Sequence, residues 1–244
     1  MDASDAGVSA NSAWGWLYWE HSHFLDRYHV QHLNCFFNPW IWKVLVEEIV
    51  TANSADATNP DPVGAETLRR IYRMRRLNDW MWSRLEPWVG QRVLEAGCGN
   101  GTMTQFLLDR EFVLSVDVNP AHLEHLQERY KEYENVSVLN LDLADTRLAE
   151  CAGKHLDTVI CLNVLEHIEP HEKVLKSFYD ALEPDGRLVL LVPAHKALFG
   201  TLDEALGHVR RYGKQELFDL VSRTGFEVEH HSYLNLFGIV GWWI

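Results

Sequence analysis

Apolar positions along this chain change period several times, and each change marks an element. Over residues 65–86, Leu68, Ile71, Tyr72, Leu77, Trp80, Met81 and Leu85 recur at helical spacing, which predicts one helix closed by Pro87. Val93-Leu94 then reads as a short strand running into a glycine turn. Met103, Phe106 and Leu107 fall on one face and predict a helix behind that turn. Phe112 to Val116 predicts a second strand. Asn119-Pro120 predicts a helix start, with Asn as cap and Pro in the first turn, and Leu123 and Leu126 as its apolar stripe. Val136 to Leu139 reads as a third strand and Thr158 to Leu162 as a fourth. Pro170 opens a helix carrying Val174, Leu175, Phe178 and Leu182, and Pro184-Asp185-Gly186 makes a turn into a fifth strand, Leu188 to Val192. A helix around Leu217, Leu220 and Val221 ends at Gly225 as a left-handed cap. Phe226 to Tyr233 alternates loosely as a sixth strand.

Strands alternating with helices predict right-handed βαβ units, hence an α/β fold of the Rossmann-like, doubly wound kind with a mostly parallel sheet. Runs such as LVLLV at 188–192 suit strands covered on both faces. In such sheets ligands bind beyond the carboxyl ends of the strands, near the point where strand order reverses. Residues 65–244 form this domain. Residues 1–64 form an N-terminal extension and linker, the segment NSADATNPDPVG at 53–64 being rich in Asn, Asp, Pro and Gly. The extension is expected to be helical and aromatic, with Trp14, Trp16, Trp19, Trp40 and Trp42, which suit contact with a partner protein or a membrane surface. His21, His23, His29 and His32, with Asp26 and Cys35 nearby, match no standard metal spacing, so no metal is expected.

Charge narrows the partners. Asp and Glu total 35 against 22 Lys and Arg, a formal charge of −13, which argues against nucleic-acid binding. The basic run Arg69, Arg70, Arg73, Arg75 and Arg76 reads as a solvated helix face or an anion contact. Four widely spaced cysteines, a polar start and no apolar run of about 18 residues predict a cytoplasmic protein.

The chemistry concentrates at predicted strand ends. Glu95-Ala96-Gly97-Cys98-Gly99-Asn100-Gly101-Thr102 follows the first strand. Glycines at alternate positions let the backbone turn sharply and approach a ligand closely. The spacing G-x-G-x-G, with Thr102 where a third dinucleotide glycine would stand, argues against a nicotinamide cofactor. Asp117 ends the second strand, where a carboxylate can accept both hydroxyls of a ribose or cap the next helix. Asp142 ends the third, able to accept from an exocyclic amine or to cap a helix, with Leu143 able to flank an adenine face. Asn163 opens Asn163-Val164-Leu165-Glu166-His167-Ile168 after the fourth.

EAGCGNG, VDVN, LDLAD and ICLNVLEHI, in that order, resemble the class I S-adenosylmethionine-dependent methyltransferases, closest to the small-molecule branch with the ubiquinone-type O-methyltransferases. The likeness covers roughly residues 65–235. It implies S-adenosyl-L-methionine as cofactor, with Gly97, Cys98, Gly99 and Gly101 at its methionine side. It further implies Asp117 and Val118 at the ribose, Asp142 and Leu143 at the adenine, Asn163 beside the cofactor, and Glu95 ordering the loop. The segment from Pro193 to Tyr212 is similar to bacterial methyltransferases linked to polysaccharide or glycolipid assembly. That family's sheet ends in a seventh, antiparallel strand between the fifth and sixth, which this sequence is expected to lack.

A sulfonium makes its methyl electrophilic, so the protein's work is to align an acceptor, exclude water and remove a proton from a hydroxyl. His167 and His208 are the candidate bases, their ordinary pKa lying near neutrality. His195, Arg210, Arg211 and Tyr212 are candidate acceptor-binding residues, the arginines able to grip a carboxylate or phosphate. The bland alternatives are a packed His167 and a structural clasp of His208, Arg210, Arg211 and Tyr212. The expected function is methyl transfer by in-line displacement to a small-molecule or lipid- or saccharide-linked acceptor. The alternative is an inactive cofactor-binding scaffold or partner subunit.

Overall fold

The computed structural model describes residues 62–145, 148, 153 and 155–234. The tryptophans and histidines of residues 1–52 lie outside these residues. Two helices come first, α1 (Pro62–Arg73) and α2 (Arg75–Leu85). Strand β1 (Arg92–Ala96) leads to β2 (Phe112–Asp117), then helix α3 (Pro120–Tyr130) and strand β3 (Val136–Asn140). Strand β4 (Leu156–Leu162), helix α4 (His171–Ala181), strand β5 (Leu182–Leu191), the short helix α5 (Thr201–Ala205) and helix α6 (Lys214–Arg223) complete the order.

The five strands pair in parallel in the order β3-β2-β1-β4-β5. Order therefore reverses between β1 and β4, and the crevice there is the expected ligand position. Successive residues of β1 show why the sheet is covered twice. Val93 packs with Val113, Ile160, Val189, Leu107 and Trp82, whereas Leu94 packs with Val116, Val159, Leu175 and Phe178. The two-residue period of a strand sends neighbours to opposite faces, and both faces here meet apolar partners. Burying Phe178 completely gives about 1.5–3 kcal/mol of transfer free energy. No helix among the described residues is long and apolar enough to cross a membrane.

Four expectations need correction. The single helix expected over 65–86 is two, broken at Met74, whose ψ of 59° leaves the helical region. The buried amide of Asn78 donates to the carbonyls of Ile71 (2.8 Å) and Tyr72 (3.4 Å), satisfying the end of α1 and holding the break. The helix expected behind the glycine turn is one 3₁₀ turn, Thr104–Phe106. Hydroxyls compete with the helical pattern there: Thr102 donates to Asn100 and Thr104 to Glu95. The Pro184-Asp185-Gly186 turn lies inside β5 as an irregularity, since β4 pairs Leu156 with Leu182 but Thr158 with Arg187. Asp185 accommodates it at φ +65°.

Residues 226–233, expected as a sixth strand, form none. Among the described residues no strand lies beyond β5, so this segment has no ladder to join. The helix before it ends as predicted: Gly225 has φ +108°, Gly225 N–H donates to Ser222 O and Phe226 N–H to Val221 O, a paired C-terminal cap.

Candidate functional site

The glycine turn leaves β1 by hanging from β2. The N–H groups of Gly97 (2.8 Å) and Cys98 (2.9 Å) both donate to Val116 O. Gly97, Gly99 and Gly101 take φ of +76°, +51° and +80°, the left-handed region that only glycine enters without strain. Space is as restrictive as conformation at Gly97, where a Cβ would stand 2.3 Å from Val164 Cγ2. The turn thus abuts the segment that follows β4 across the reversal point.

Two carboxyls fix the turn from behind and in front. Glu95 is buried, and its Oε2 accepts from Thr104 Oγ1 and Ser115 Oγ, each at 2.7 Å. Burial outweighs both hydroxyls and pushes its pKa up to about 7. Asp117 accepts from Gly99 N–H (2.8 Å, Oδ2) and Asn119 N–H (2.8 Å, Oδ1), and His122 Nδ1 lies 3.5 Å from Oδ1. Burial works to raise its pKa, but His122 and the two N–H donors prevail and hold it below the ordinary carboxylate value. A carboxylate has about four acceptor positions, so two protein donors leave room for ribose hydroxyls. Val118, next in line, is 68% exposed.

Asp142 follows β3 on the same side of the sheet, exposed, with Oδ1 accepting from Ala144 N–H at 2.8 Å. Leu143 beside it is buried. Asn163 leaves β4 at φ +53°, its N–H donating to Leu191 O. The cofactor residues inferred from the sequence therefore lie at the carboxyl ends of β1, β2, β3 and β4. Cys98 is buried, and burial pushes its thiol far above the usual range, so it packs as an inert residue.

The residues expected from the sequence to bind an acceptor are held differently, by side chains that tie the loop after β5 to the loop after β4. Val209 N–H donates to Glu166 O (2.9 Å), and the Arg210 guanidinium to Ile168 O (2.9 Å) and the Glu169 carboxylate (3.0 Å). Arg211 is buried, with Nε donating to Asp203 Oδ1 at 2.8 Å. Tyr212 is buried too, its hydroxyl donating to Leu165 O (3.3 Å) and lying 2.9 Å from His171 Nδ1. Burial pushes that phenol up to about 12. Arg210, Arg211 and Tyr212 are thus engaged by protein groups, which favours the clasp over a grip on the acceptor. His195 is exposed at φ +62°, with its ring stacked 5.3 Å from Tyr233.

Within the clasp, His208 Nδ1 lies 2.8 Å from Asp203 Oδ1, and Gly200 N–H donates to Asp203 Oδ2. Burial raises the Asp203 pKa, but Arg211 and His208 overcome it and lower the value. His167 is exposed, with Nδ1 3.2 Å from Gly207 O and its ring edge-on to His208 at 4.7 Å. Glu166 is wholly buried, neither carboxyl oxygen has a hydrogen-bond partner, and burial pushes its pKa up to about 8. Sequence reasoning assigned no role to Asp203 or Glu166. An acidic residue inside the apolar run NVLEHI was the available signal for Glu166, and Asp203 stood in the Pro193–Tyr212 segment that carried a family likeness without a role of its own.

A parallel sheet that reverses at a glycine turn, with an acid ending β2, is a Rossmann-like fold of the kind that methyltransferases share. Residues 94–188 match the family model described as a methyltransferase domain. A protein of Mycolicibacterium smegmatis named "probable S-adenosylmethionine-dependent methyltransferase" is 29% identical over 58% of this chain and 54% of its own. The ubiquinone biosynthesis O-methyltransferase of Pseudomonas fluorescens is 29% identical over 45% of this chain and 47% of its own. The N-methyltransferase NodS of Bradyrhizobium japonicum, solved with S-adenosyl-L-homocysteine, shares the fold with TM-score 0.50 and 19% identity, over 75% of this chain and 84% of NodS. Residues 94–188 are thus similar to a methyltransferase domain, and the chain resembles proteins named as S-adenosylmethionine-dependent methyltransferases. It spans about half the length of the curated relatives it matches.

Proposed function

We propose that the protein transfers the methyl group of S-adenosyl-L-methionine to a small-molecule or lipid- or saccharide-linked acceptor. The observation that carries this reading is the turn Gly97–Gly101, hung from Val116 O and closed against Asp117, at the reversal point of the sheet. Three left-handed glycines make a cradle that side chains would fill, and Asp117 keeps acceptor positions open toward it. The residues fit the cofactor: Gly97, Cys98, Gly99 and Gly101 along its methionine part, Asp117 and Val118 at its ribose, Asp142 and Leu143 at its adenine, and Asn163 alongside. When bound, the cofactor supplies an electrophilic methyl on a positive sulfur.

The chain's own residues supply the rest. Glu95 holds the turn in place through Thr104 and Ser115 rather than by touching substrate. The imidazoles of His167 and His208 manage the acceptor's proton at the end of β4, and exposed His195 borders the acceptor. The clasp of Arg210, Arg211 and Tyr212 keeps the two loops together so that acceptor and methyl stay aligned, the condition a displacement most depends on.

Calorimetry of the purified chain with S-adenosyl-L-methionine and with S-adenosyl-L-homocysteine tests this directly. Saturable binding of both is expected. A folded protein that binds neither overturns the proposal.

A further inference from the structure

Arginine crowds α1 and α2. Residues 62–85 hold Arg69, Arg70, Arg73, Arg75, Arg76 and Arg84 against Glu66 and Asp79, in a chain whose formal charge is −13. Helix α2 divides its faces by burial. Leu77, Asn78, Met81, Trp82 and Leu85 turn inward, with Asn78 and Trp82 buried, whereas Arg75, Arg76, Asp79, Trp80, Ser83 and Arg84 are exposed. Arg76, Trp80 and Arg84 recur every four residues and so stand one above the next along that outer face. Trp80 is in step with Leu77 and Met81 in the sequence, yet it is 40% exposed, and its indole meets water between two arginines. In α1, Arg69 and Arg70 are tied to Glu66, and the exposed Arg73 stands where α1 hands over to α2. These helices are fastened to the glycine turn. Asn100 Nδ2 donates to Leu68 O at 2.8 Å, and a Cβ at Gly99 would stand 3.3 Å from Leu68 Cδ1.

We propose that the outer face of α2, with Arg73 beside it, docks on an anionic lipid surface, its arginines at the phosphates and Trp80 among the headgroups. Charge complementarity selects this occupant, since a cluster of about four to eight basic residues on an amphipathic helix suits anionic headgroups. Asp79 is the only acid of α2, against three arginines. Tryptophan prefers the boundary between membrane and water, where its ring meets apolar groups and its N–H finds an acceptor. The apolar face of α2 is already packed on the domain, so the helix lies on the surface rather than entering it. A straight row of side chains meets a plane; it encloses no single phosphorylated group. A nucleic acid draws its affinity from many phosphate contacts and finds one row of arginines here. The acids elsewhere on the chain weaken the attraction without cancelling it, because salt screens charges beyond ~10 Å at 0.1 M ionic strength. Being repelled by the same surface, they also fix which side of the domain faces it. Docking itself needs no cofactor. Its use, bringing the crevice to a lipid-linked acceptor, rests on the methyl-transfer reading.

The test is cosedimentation of the full chain with phosphatidylcholine vesicles, with and without phosphatidylglycerol. Binding is expected with phosphatidylglycerol at about 0.1 M salt, and it should vanish near about 1 M, where the screening length shortens to ~3 Å. Arg76→Gln combined with Arg84→Gln should weaken binding about 25-fold, a factor of about five per arginine. Trp80→Ser should weaken it severalfold. All three side chains are exposed, so thermal midpoints and affinity for S-adenosyl-L-homocysteine should stay at the wild-type values. Absence of binding to the phosphatidylglycerol vesicles overturns the proposal. So does equal binding to phosphatidylcholine alone. Binding unchanged in the double arginine variant also overturns it and would move the contact to tryptophans such as Trp14 and Trp16. Tighter binding to a single-stranded oligonucleotide than to vesicles would make the face a nucleic-acid surface instead. Wild-type protein that docks on vesicles but binds neither S-adenosyl-L-methionine nor S-adenosyl-L-homocysteine would refute the methyl-transfer reading and leave the docking face standing; cofactor binding without docking would do the opposite.

Discussion

Glu95 and Glu166 are both buried carboxyls at the mouth of one crevice, and they are treated in opposite ways. Glu95 sits in β1 with a hydroxyl from Thr104 and another from Ser115. Glu166 follows β4 with neither carboxyl oxygen in a hydrogen bond and His208 Nε2 3.9 Å from Oε1. The first belongs to a region made of backbone: a glycine turn, its N–H groups and a satisfied acid behind it. The second belongs to a region made of side chains: a buried aspartate, an arginine, two histidines and a tyrosine joining two loops. The backbone region holds its shape without a ligand, because the polar atoms that fix the turn find partners within it, while Asp117 keeps acceptor positions open. The side-chain region leaves the Glu166 carboxyl without a hydrogen bond, with the His208 imidazole 3.9 Å away.

The largest effect is expected where the clasp depends on one ion pair. Asp203→Ala removes the carboxylate facing Arg211 Nε and His208 Nδ1 in a fully buried place. Removing one partner of a buried pair costs about 3–5 kcal/mol, which urea unfolding will read as a lower midpoint. An Asp203→Leu, Arg211→Met double variant should lose far less, since no buried charge is then stranded. A loss under about 1 kcal/mol for Asp203→Ala, the level of an exposed pair, would show that the clasp is superficial and the comparison misdrawn.

Next comes the titration of Glu95. Its folded pKa is about 7 against an ordinary 4.5. As pH rises above the ordinary value, unfolded chains release this proton while folded ones retain it, so stability falls until pH passes about 7 and then levels. The total is on the order of 3 kcal/mol. Asp117 and Asp203, whose values are lowered, act in the other direction, and their contribution fades only in acid below the ordinary aspartate value. Glu166, whose pKa burial pushes up to about 8, adds a decline of the same sign, so Glu95→Gln, which keeps an acceptor for both hydroxyls, should lessen the decline by about the Glu95 share rather than abolish it. Urea midpoints at about pH 5 and about pH 8 check this; a variant with the same decline as wild type would relocate the titration elsewhere.

Asp117→Ala probes the ligand side of the backbone region. Hydrogen bonds to a charged group contribute about 1.5–3 kcal/mol each, so affinity for S-adenosyl-L-homocysteine should fall about 10–100-fold by calorimetry. Unchanged affinity would remove the ribose role from this residue.

These contrasts explain what could be read from the sequence. The glycine turn was legible because glycine at alternate positions after an apolar run has few other uses, and the structure puts all three at positive φ. The β2 and β4 runs were legible because strands buried on both faces stay mostly apolar, with the buried hydroxyls of Ser115 and Thr158 as small exceptions. The break at Met74 was not, since it depends on Asn78 reaching back to two carbonyls, a tertiary contact without a local signature. The missing sixth strand was not either, because alternation describes a strand's faces and says nothing of whether a neighbour exists. The role of Asp203 was not legible either, since only the fold brings Arg211 and His208 to it.

The smallest expected effect isolates how the backbone region is anchored. Asn119 was read as the cap of α3, and its Oδ1 accepts from Ala121 N–H at 3.0 Å while its own N–H donates to Asp117. On the other side of the crevice α4 begins at Pro170 with no side-chain cap. Asn119→Ala deletes the cap but keeps the main-chain bond to Asp117, so it should cost about 1 kcal/mol of stability. Thermal unfolding will register that loss, and cofactor affinity should stay within about twofold, since a few tenths of a kcal/mol is all that a retained main-chain bond allows to change. A large loss of affinity with little loss of stability would mean that the Asn119 side chain touches the ligand itself. The backbone region would then share the acceptor side's reliance on side chains, and the contrast between the two glutamates would be one of degree.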